Sequence, residues 1–289
     1  MNKVLLRVLG SAQDAGLPHP NCYCDNCKRA MDDPKFKRTA ASLAIILPEE
    51  KRWHLIDATP DMKEQMIALQ RAHNLEGQVM NSVFLTHAHI GHYPGLMFLG
   101  KESMNTKQVP VYTGSLMQTM LETHAPWSQL TGLENILLKE IAHDIPVHLE
   151  EGVDITPVEV PHRNEFSETF GFCIEGPTKK VLYIPDIDSW DKWEQRIEEV
   201  CEKVDICLLD ATFFSSSDLA HLGDRDLSEI PHPMITNTMD RLQHLTDTCA
   251  IYFTHFNHSN PALHQDGVTR KLIESNGFFL ADDGLEFVL

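Results

Sequence analysis

Three histidines crowd into Thr86-His87-Ala88-His89-Ile90-Gly91-His92, directly after the apolar segment Ser82-Val83-Phe84-Leu85. Neutral imidazole ligates zinc, iron, nickel or copper, and histidine this dense is poorly explained by packing. The spacing predicts a metal site on a loop that leaves a strand. His87 and His89, two residues apart, can point into one pocket, and His162, after Ile155–Val160 and Pro161, supplies a third nitrogen. Three histidines with an open coordination position form a catalytic rather than a closed structural site. Asp186, in Tyr183-Ile184-Pro185-Asp186, and His255, in Tyr252-Phe253-Thr254-His255, are further ligand candidates. Asp186 alone reads equally as a turn or capping residue; beside the others it reads as a ligand. Position 91 is glycine where a fourth polar ligand is expected.

A second cluster is Asn21-Cys22-Tyr23-Cys24-Asp25-Asn26-Cys27. Three thiolates need one more ligand to close a tetrahedral zinc, and such a site contributes folding energy rather than catalysis. His258, three residues after His255, is the expected fourth ligand. Cys173, Cys201, Cys207 and Cys249 lie in apolar or helical contexts and read as buried thiols. The chain has 7 cysteines in all, and an odd, clustered set suits a reducing, cytoplasmic compartment better than a disulfide framework.

These side chains need elements to hold them. Lys3–Leu9, Leu43–Leu47, Trp53–Asp57, Val109–Tyr112, Ile155–Val160, Thr169–Glu175, Val181–Pro185, Asp205–Leu209, Ile251–Thr254, Phe278–Ala281 and Leu285–Leu289 have strand length and character. A helix is expected from Thr59 as cap and Pro60 in the first turn toward His73, with others opening at Gly95–Leu99, near His232–His244 and from Pro261. Polar ligand candidates fall at the C-terminal ends of apolar strands: Asp57, His87, His162, Asp186, Asp210 and His255. Residues gathered at one sheet edge are the expected build of an active site on a rigid scaffold. No linker, charge block or short repeat divides residues 1–289, so the expectation is a single domain of packed sheets with outer helices.

A chain of 289 residues with 42% hydrophobic residues can bury a substantial core, and its net charge is −18. Such acidity argues against nonspecific binding to nucleic acid or anionic membranes, while a buried metal can still hold an anionic substrate. Arg7 interrupts the amino-terminal apolar run before it reaches signal length, and nothing approaches a membrane span. A homodimer through an apolar patch or exposed edge strand is compatible with the sequence.

Strand, then H-x-H-x-x-H, then a later His, an Asp and a final His in that order resembles the metallo-β-lactamase superfamily. The resemblance implies a four-layer αββα sandwich, of α/β class, with metals at one edge of the sheets. Leu9-Gly10-Ser11-Ala12-Gln13-Asp14-Ala15-Gly16, the cysteine array and Arg38-Thr39-Ala40-Ala41-Ser42-Leu43-Ala44 are similar to the pyrroloquinoline-quinone biosynthesis protein B family and to the cyclic phosphodiesterase of the carbon–phosphorus lyase pathway. The latter resemblance implies that Cys22, Cys24, Cys27 and His258 hold structural Zn2+. It also assigns His87, His89 and His162 to a first active-site metal, Asp186 as bridge, and His92 with His255 to a second. Superfamily hydrolases carry Asp at the position of Gly91, as second-metal ligand and partner of the attacking hydroxide. Without it, the second site has less negative charge to hold a dication. Members of the quinone-biosynthesis family replace the first two histidines of the motif, whereas His87 and His89 are present here.

The function expected is a metal-dependent hydrolase of a small, anionic, phosphodiester-type substrate, using a metal-bound hydroxide with one or two Zn2+, Mn2+ or Fe2+ ions. Asp186 and His232, in Ile230-Pro231-His232-Pro233, are the expected catalytic residues; Arg163 reads as a surface ion pair that can also hold a phosphate. The alternatives are an iron-dependent oxidative enzyme of the quinone-biosynthesis type and a degenerate, non-catalytic metal-binding protein, which Gly91 favours. Pocket walls are expected from Ser103–Gln108, His124–Thr131 and Ser215–Asp226.

Overall fold

Segments such as Ser42–Leu47 are apolar without alternation because both faces of the strand are covered. The computed structural model describes residues 3–149, 152–218 and 231–289, and there the chain forms two seven-stranded sheets. One contains β1 (Leu5–Gly10), β2 (Ser42–Leu47), β3 (Arg52–Ile56), β4 (Ser82–Phe84), β5 (Val109–Thr113), β6 (Ile136–Glu140) and β14 (Glu286–Val288), in the order β14-β1-β2-β3-β4-β5-β6. The other contains β7 (Val147–Leu149), β8 (Val153–Glu159), β9 (Phe170–Glu175), β10 (Lys180–Ile184), β11 (Ile206–Asp210), β12 (Ala250–Thr254) and β13 (Phe279–Leu280), in the order β13-β12-β11-β10-β9-β8-β7.

Alternate residues of each strand serve different layers. Leu43, Ile45 and Leu47 meet Phe172, Ile174 and Tyr183 in the core between the sheets. Ala44 and Ile46 face outward with Trp53 and Leu55, onto residues of α2 (Met62–His73), α3 (Ser115–Thr123) and α4 (Trp127–Gly132). On the opposite outer face, Leu182, Leu209 and Phe253 pack with α1 (Asp25–Asp32), α5 (Ile197–Cys201), α6 (Ile235–Leu242) and α7 (Val268–Ser275). This is the αββα sandwich expected from the sequence. Among the described residues no helix is long and apolar enough to cross a membrane.

β3 to β6 run parallel, as do β10 to β13. Their registers align the strand ends: Ile56 lies opposite Phe84, Ile184 opposite Leu209, and Asp210 opposite Thr254. β8, two antiparallel steps from β10, ends in the same direction. Asp57, His87, His162, Asp186, Asp210 and His255 therefore emerge along a shared edge.

Several element boundaries differ from the expectation. α2 starts at Met62 after Asp61, with the Thr59 hydroxyl accepting the Asp61 N–H at 3.1 Å, two residues later than expected. Pro94–Leu99 and Pro261–Leu263 are 3-10 turns, and the helix expected from Pro261 begins only at Val268. Asn260 caps the second turn through the Ala262 N–H, and a further turn at Gly267 closes back on the His264 carbonyl. α4 occupies most of the expected loop at His124–Thr131. β6 is an edge strand exposed at Leu137, Lys139 and Glu140, and its apolar run, Ile136–Leu138, is too short to mark it. Of Ser215–Asp226, residues 219–226 lie outside the described residues.

His54 in β3 is buried, with Nδ1 2.7 Å from the Ser82 hydroxyl, and burial pushes its ring down to about 4, with Arg52 adding to the effect. The unfolded chain protonates this histidine first, near 6.5. Stability is therefore complete above that pH and is lost as pH falls toward 4, by about 3 kcal/mol. Urea unfolding at pH 7 and pH 4.5 is expected to show this slope in the wild type and a shallower one in His54→Gln.

Candidate metal centres

Chain geometry after β4 turns the histidine motif inward. The Thr86 N–H and hydroxyl donate to Asp57 at 2.8 and 3.0 Å, and the Ala88 N–H donates to the Ser167 hydroxyl at 2.9 Å. His87 Nε2 comes to 2.8 Å from His89 Nδ1, and His162 Nε2 to 3.3 Å from the same atom. The three rings stand nearly perpendicular, at 76 to 88°. A tetrahedral ion with imidazole bonds of about 2.0–2.1 Å separates its nitrogens by roughly 3.3 Å, so these spacings suit one cation.

A second convergence lies beside it. His92 Nε2 and His255 Nε2 are 3.0 and 3.1 Å from Asp186 Oδ2. All three atoms are buried, and none makes a hydrogen bond of acceptable geometry. Buried polar atoms are rarely left so, and a cation at their focus would satisfy them together. Asp186 Oδ1 lies 3.6 Å from His162 Nε2, so the carboxylate faces both groups.

Outward-facing ring nitrogens are held by the frame. His87 Nδ1 is 3.0 Å from the Thr86 hydroxyl, His92 Nδ1 is 2.8 Å from Asp57 Oδ2, and His255 Nδ1 is 3.1 Å from the Thr212 hydroxyl. Such outer partners fix ring orientation and tautomer. His162 Nδ1 is 3.3 Å from Asp188 Oδ1, with neither atom hydrogen-bonded. Asp57, expected as a ligand, has this supporting role instead: its oxygens are taken by Thr86 and His92. Asp210 is likewise engaged, by the Thr212 and Ile187 N–H groups and by His232 Nδ1 at 2.7 Å.

Burial opposes the charged form of His92, but Asp57 and Asp186 on either side outweigh it and hold the imidazole well above its usual value. Burial would raise Asp186; His255, His162 and His92 instead hold it well below the carboxylate range. For His87, burial dominates and pushes the ring well down; His89 falls to about 4, by burial and then by His162. Neutral imidazoles are the form that binds a cation.

The cysteines form a separate centre on the same side of the sheet. Cys27 sits on α1, and His258 follows β12. His258 Nδ1 is 3.4, 3.6 and 3.7 Å from the sulfurs of Cys22, Cys24 and Cys27, close to the roughly 3.6 Å of a tetrahedral zinc with S and N ligands. Burial pushes the Cys27 thiol up to about 12, and a cation among the sulfurs would favour its thiolate. Asn26, which carries no sequence signal, ties the two segments by donating to the His258 and Asn260 carbonyls at 3.0 and 2.9 Å. The His19 N–H adds a contact to the Cys27 sulfur at 3.3 Å.

The first group opens through His89 and His162, and the second through Asp186, onto a cleft of about 480 Å³ also lined by Asp14, Ile90, Arg163, Phe166 and His232. Arg163 is exposed there and pairs with Glu165 at 3.5 Å. His232 is buried against Asp210 with φ +111°, a strained conformation for a histidine. Burial works against its protonation, and Asp210 reverses that and raises it. Asp14 was not among the residues expected from sequence. Its carboxylate lies with His92 and His255 within 4.8 Å, on a loop 77 residues before Gly91 in number and next to it in space. Nothing in the linear spacing marks it.

The family described as beta-lactamase superfamily domain matches residues 52–256. Coenzyme PQQ synthesis protein B of Methylococcus capsulatus is 26% identical, covering 99% of this chain and 100% of its own length. The protein of the same name from Methylobacterium sp. is 28% identical, covering 98% and 99%. Zn2+-bound PqqB from Methylobacterium extorquens superposes with a TM-score of 0.80 at 25% identity over 99% of this chain and 100% of that one. A diphosphatase of the PhnP family superposes at 0.72 and 24% identity over 99% and 97%, a likeness of fold.

Two outcomes follow for metal analysis by mass spectrometry. Cys24→Ser is expected to lose about one equivalent and to melt at lower temperature, while His89→Ala loses metal from the other pool and leaves the thiolate ion in place. Asp57→Asn, which suits the left-handed backbone there (φ +62°), is expected to weaken binding at His92 by about 10- to 100-fold in chelator competition, with the fold intact.

Proposed function

The chain belongs to the beta-lactamase superfamily, and on that premise we propose that it is a metal-dependent hydrolase of a small anionic ester, of phosphodiester type. The observation that carries this reading is the position of Asp186, with one oxygen toward His162 and the other toward His92 and His255, at the base of an open cleft. Adjacent ligand sets sharing a carboxylate suit displacement at a charged ester, where both attacking and leaving oxygens need stabilisation. Divalent cations held by His87, His89, His162, Asp186, His92 and His255 would supply Lewis acidity and lower the pKa of water to about 7.

The remaining chemistry falls to the chain's own side chains. Asp186 orients the nucleophilic water by accepting its hydrogen bond. His232, whose imidazole Asp210 shifts upward, donates a proton to the departing oxygen. Arg163 at the rim exchanges its Glu165 partner for substrate oxygens. Ile90 and Phe166, 65% and 61% exposed beside the cleft, offer apolar contact to the organic part of the substrate.

The full-length likeness to proteins named coenzyme PQQ synthesis protein B supports a second reading, oxidative chemistry with Fe2+ in the same pocket. Anaerobic assay of Zn2+- or Mn2+-loaded protein on an alkyl aryl phosphodiester separates them. Hydrolysis without oxygen is expected; oxygen uptake with iron and an untouched diester would overturn the hydrolase. His232→Asn is expected to lower kcat by about 10²–10⁴-fold for an alkoxide leaving group, with little loss for nitrophenolate, which leaves unprotonated, and no change in metal content.

A further inference from the structure

Gly91 is buried at the turn of the motif, yet its backbone does not have the left-handed φ that demands glycine. What demands it is space. A Cβ there would lie 2.2 Å from Asp14 Oδ1 and 2.7 Å from Asp14 Cα, distances no side chain can adopt. The volume that a side chain at 91 would fill is therefore occupied by the carboxylate of Asp14.

We propose that Asp14, from the loop after β1, supplies to the His92–His255 metal site the carboxylate that Gly91 cannot. Its oxygen lies within 4.8 Å of a ring nitrogen of each histidine. Both histidines are 1% exposed, and their Nε2 atoms lack hydrogen-bond partners. With Asp186 alone, two neutral imidazoles and one carboxylate give the second cation a single negative charge; Asp14 adds another. Hard, oxygen-preferring cations respond to that difference.

The position of Asp14 is built in. Ala12 bridges to Ala40 and to Phe256, the Gln13 N–H donates to the Phe256 carbonyl at 2.8 Å, and the Phe256 N–H donates to the Ser11 carbonyl at 2.9 Å. Phe256 follows His255 directly, so this pairing ties residues 11–13 to the strand end that carries the ligand. Asp14 then adopts φ +33°, and the Gly16 N–H returns to the Gln13 carbonyl at 3.0 Å, with Gly16 at φ +70°. The left-handed turn directs the loop at the metal site. A side chain at 91 would thus collide with both the carboxylate and the backbone Cα of Asp14.

This inference rests on the histidine sites binding metal, and its test separates the two. Mn2+ titration followed by electron paramagnetic resonance reports both stoichiometry and the coupling of neighbouring ions. Wild type is expected to bind two ions in the histidine pool as a coupled pair. Asp14→Asn and Asp14→Ala should retain the ion at His87, His89 and His162 while weakening the second at least 100-fold, with loss of the coupling. Gly91→Asp alone should also lose it, by collision with Asp14. Asp14→Glu, which keeps a carboxylate, should bind the second ion more tightly than either Asp14→Asn or Asp14→Ala. Asp14→Asn, nearly isosteric, guards against loss through misfolding, with its melting curve as control. Unchanged binding of the second ion in Asp14→Asn and Asp14→Ala overturns the proposal. A wild type that binds one ion only also overturns it while leaving the first site intact; one that binds none overturns the metal-site reading beneath it.

Discussion

Asp186 is 3% exposed, and its two oxygens lie 3.0 to 3.9 Å from nitrogens of His87, His92, His162, His232 and His255. An isolated carboxylate removed from water to this degree carries a penalty of several kcal/mol. It is tolerated only with positive charge close by, from protons on the surrounding imidazoles or from cations in their place. The requirement for compensation at this point governs the arrangement of everything around it. The imidazoles must converge from separate segments, each held by a partner on its far side, and the cleft above must admit a substrate without flooding the carboxylate.

The sandwich meets that requirement through strand direction. The parallel runs in both sheets end at the same edge, so the loops after β3, β4, β8, β10, β11 and β12 deliver Asp57, the histidine motif, His162, Asp186, Asp210 and His255 to a common volume. The local backbone is bent to fit. Asp57, His255, His232, Arg163 and Asp14 all have positive φ without being glycine. Such conformations are unfavourable in isolation and persist where surrounding structure over-determines them. Here the determinants are visible: Asp57 accepts from Thr86, His255 is backed by Thr212, and the Asp14 loop is zipped to Phe256. The thiolate centre extends the same logic, since His255 and His258 leave one strand end in different directions and tie the active edge to α1.

Much of this was legible in the residues. Apolar runs of strand length located most strands because burial on both faces removes polar interruptions, and polar residues at their ends marked the working edge. Cys22, Cys24 and Cys27 are near neighbours in sequence, so their spacing alone marks them as one cluster. The misses have physical causes as well. β6 is an exposed edge whose apolar run is only Ile136–Leu138; the turns at Pro94 and Pro261 imitate helix starts, because proline suits a first turn whether or not a helix follows. Asp57 and Asp186 look alike in sequence, each an aspartate after an apolar strand, and only their hydrogen bonds tell a support from a candidate ligand.

Residue types and their spacing specify which groups are available for metal chemistry, the order in which they arise, and the sheet edge they occupy, because side-chain chemistry and strand periodicity are local properties of the chain. They also mark an absence, the missing carboxylate at Gly91. The meaning of that absence comes from the fold, since Asp14 reaches the place of a residue-91 side chain through backbone pairing between the loop after β1 and the loop after β12. Excluded volume acts between residues that the fold brings together, and linear spacing carries no record of which distant side chain has taken the room.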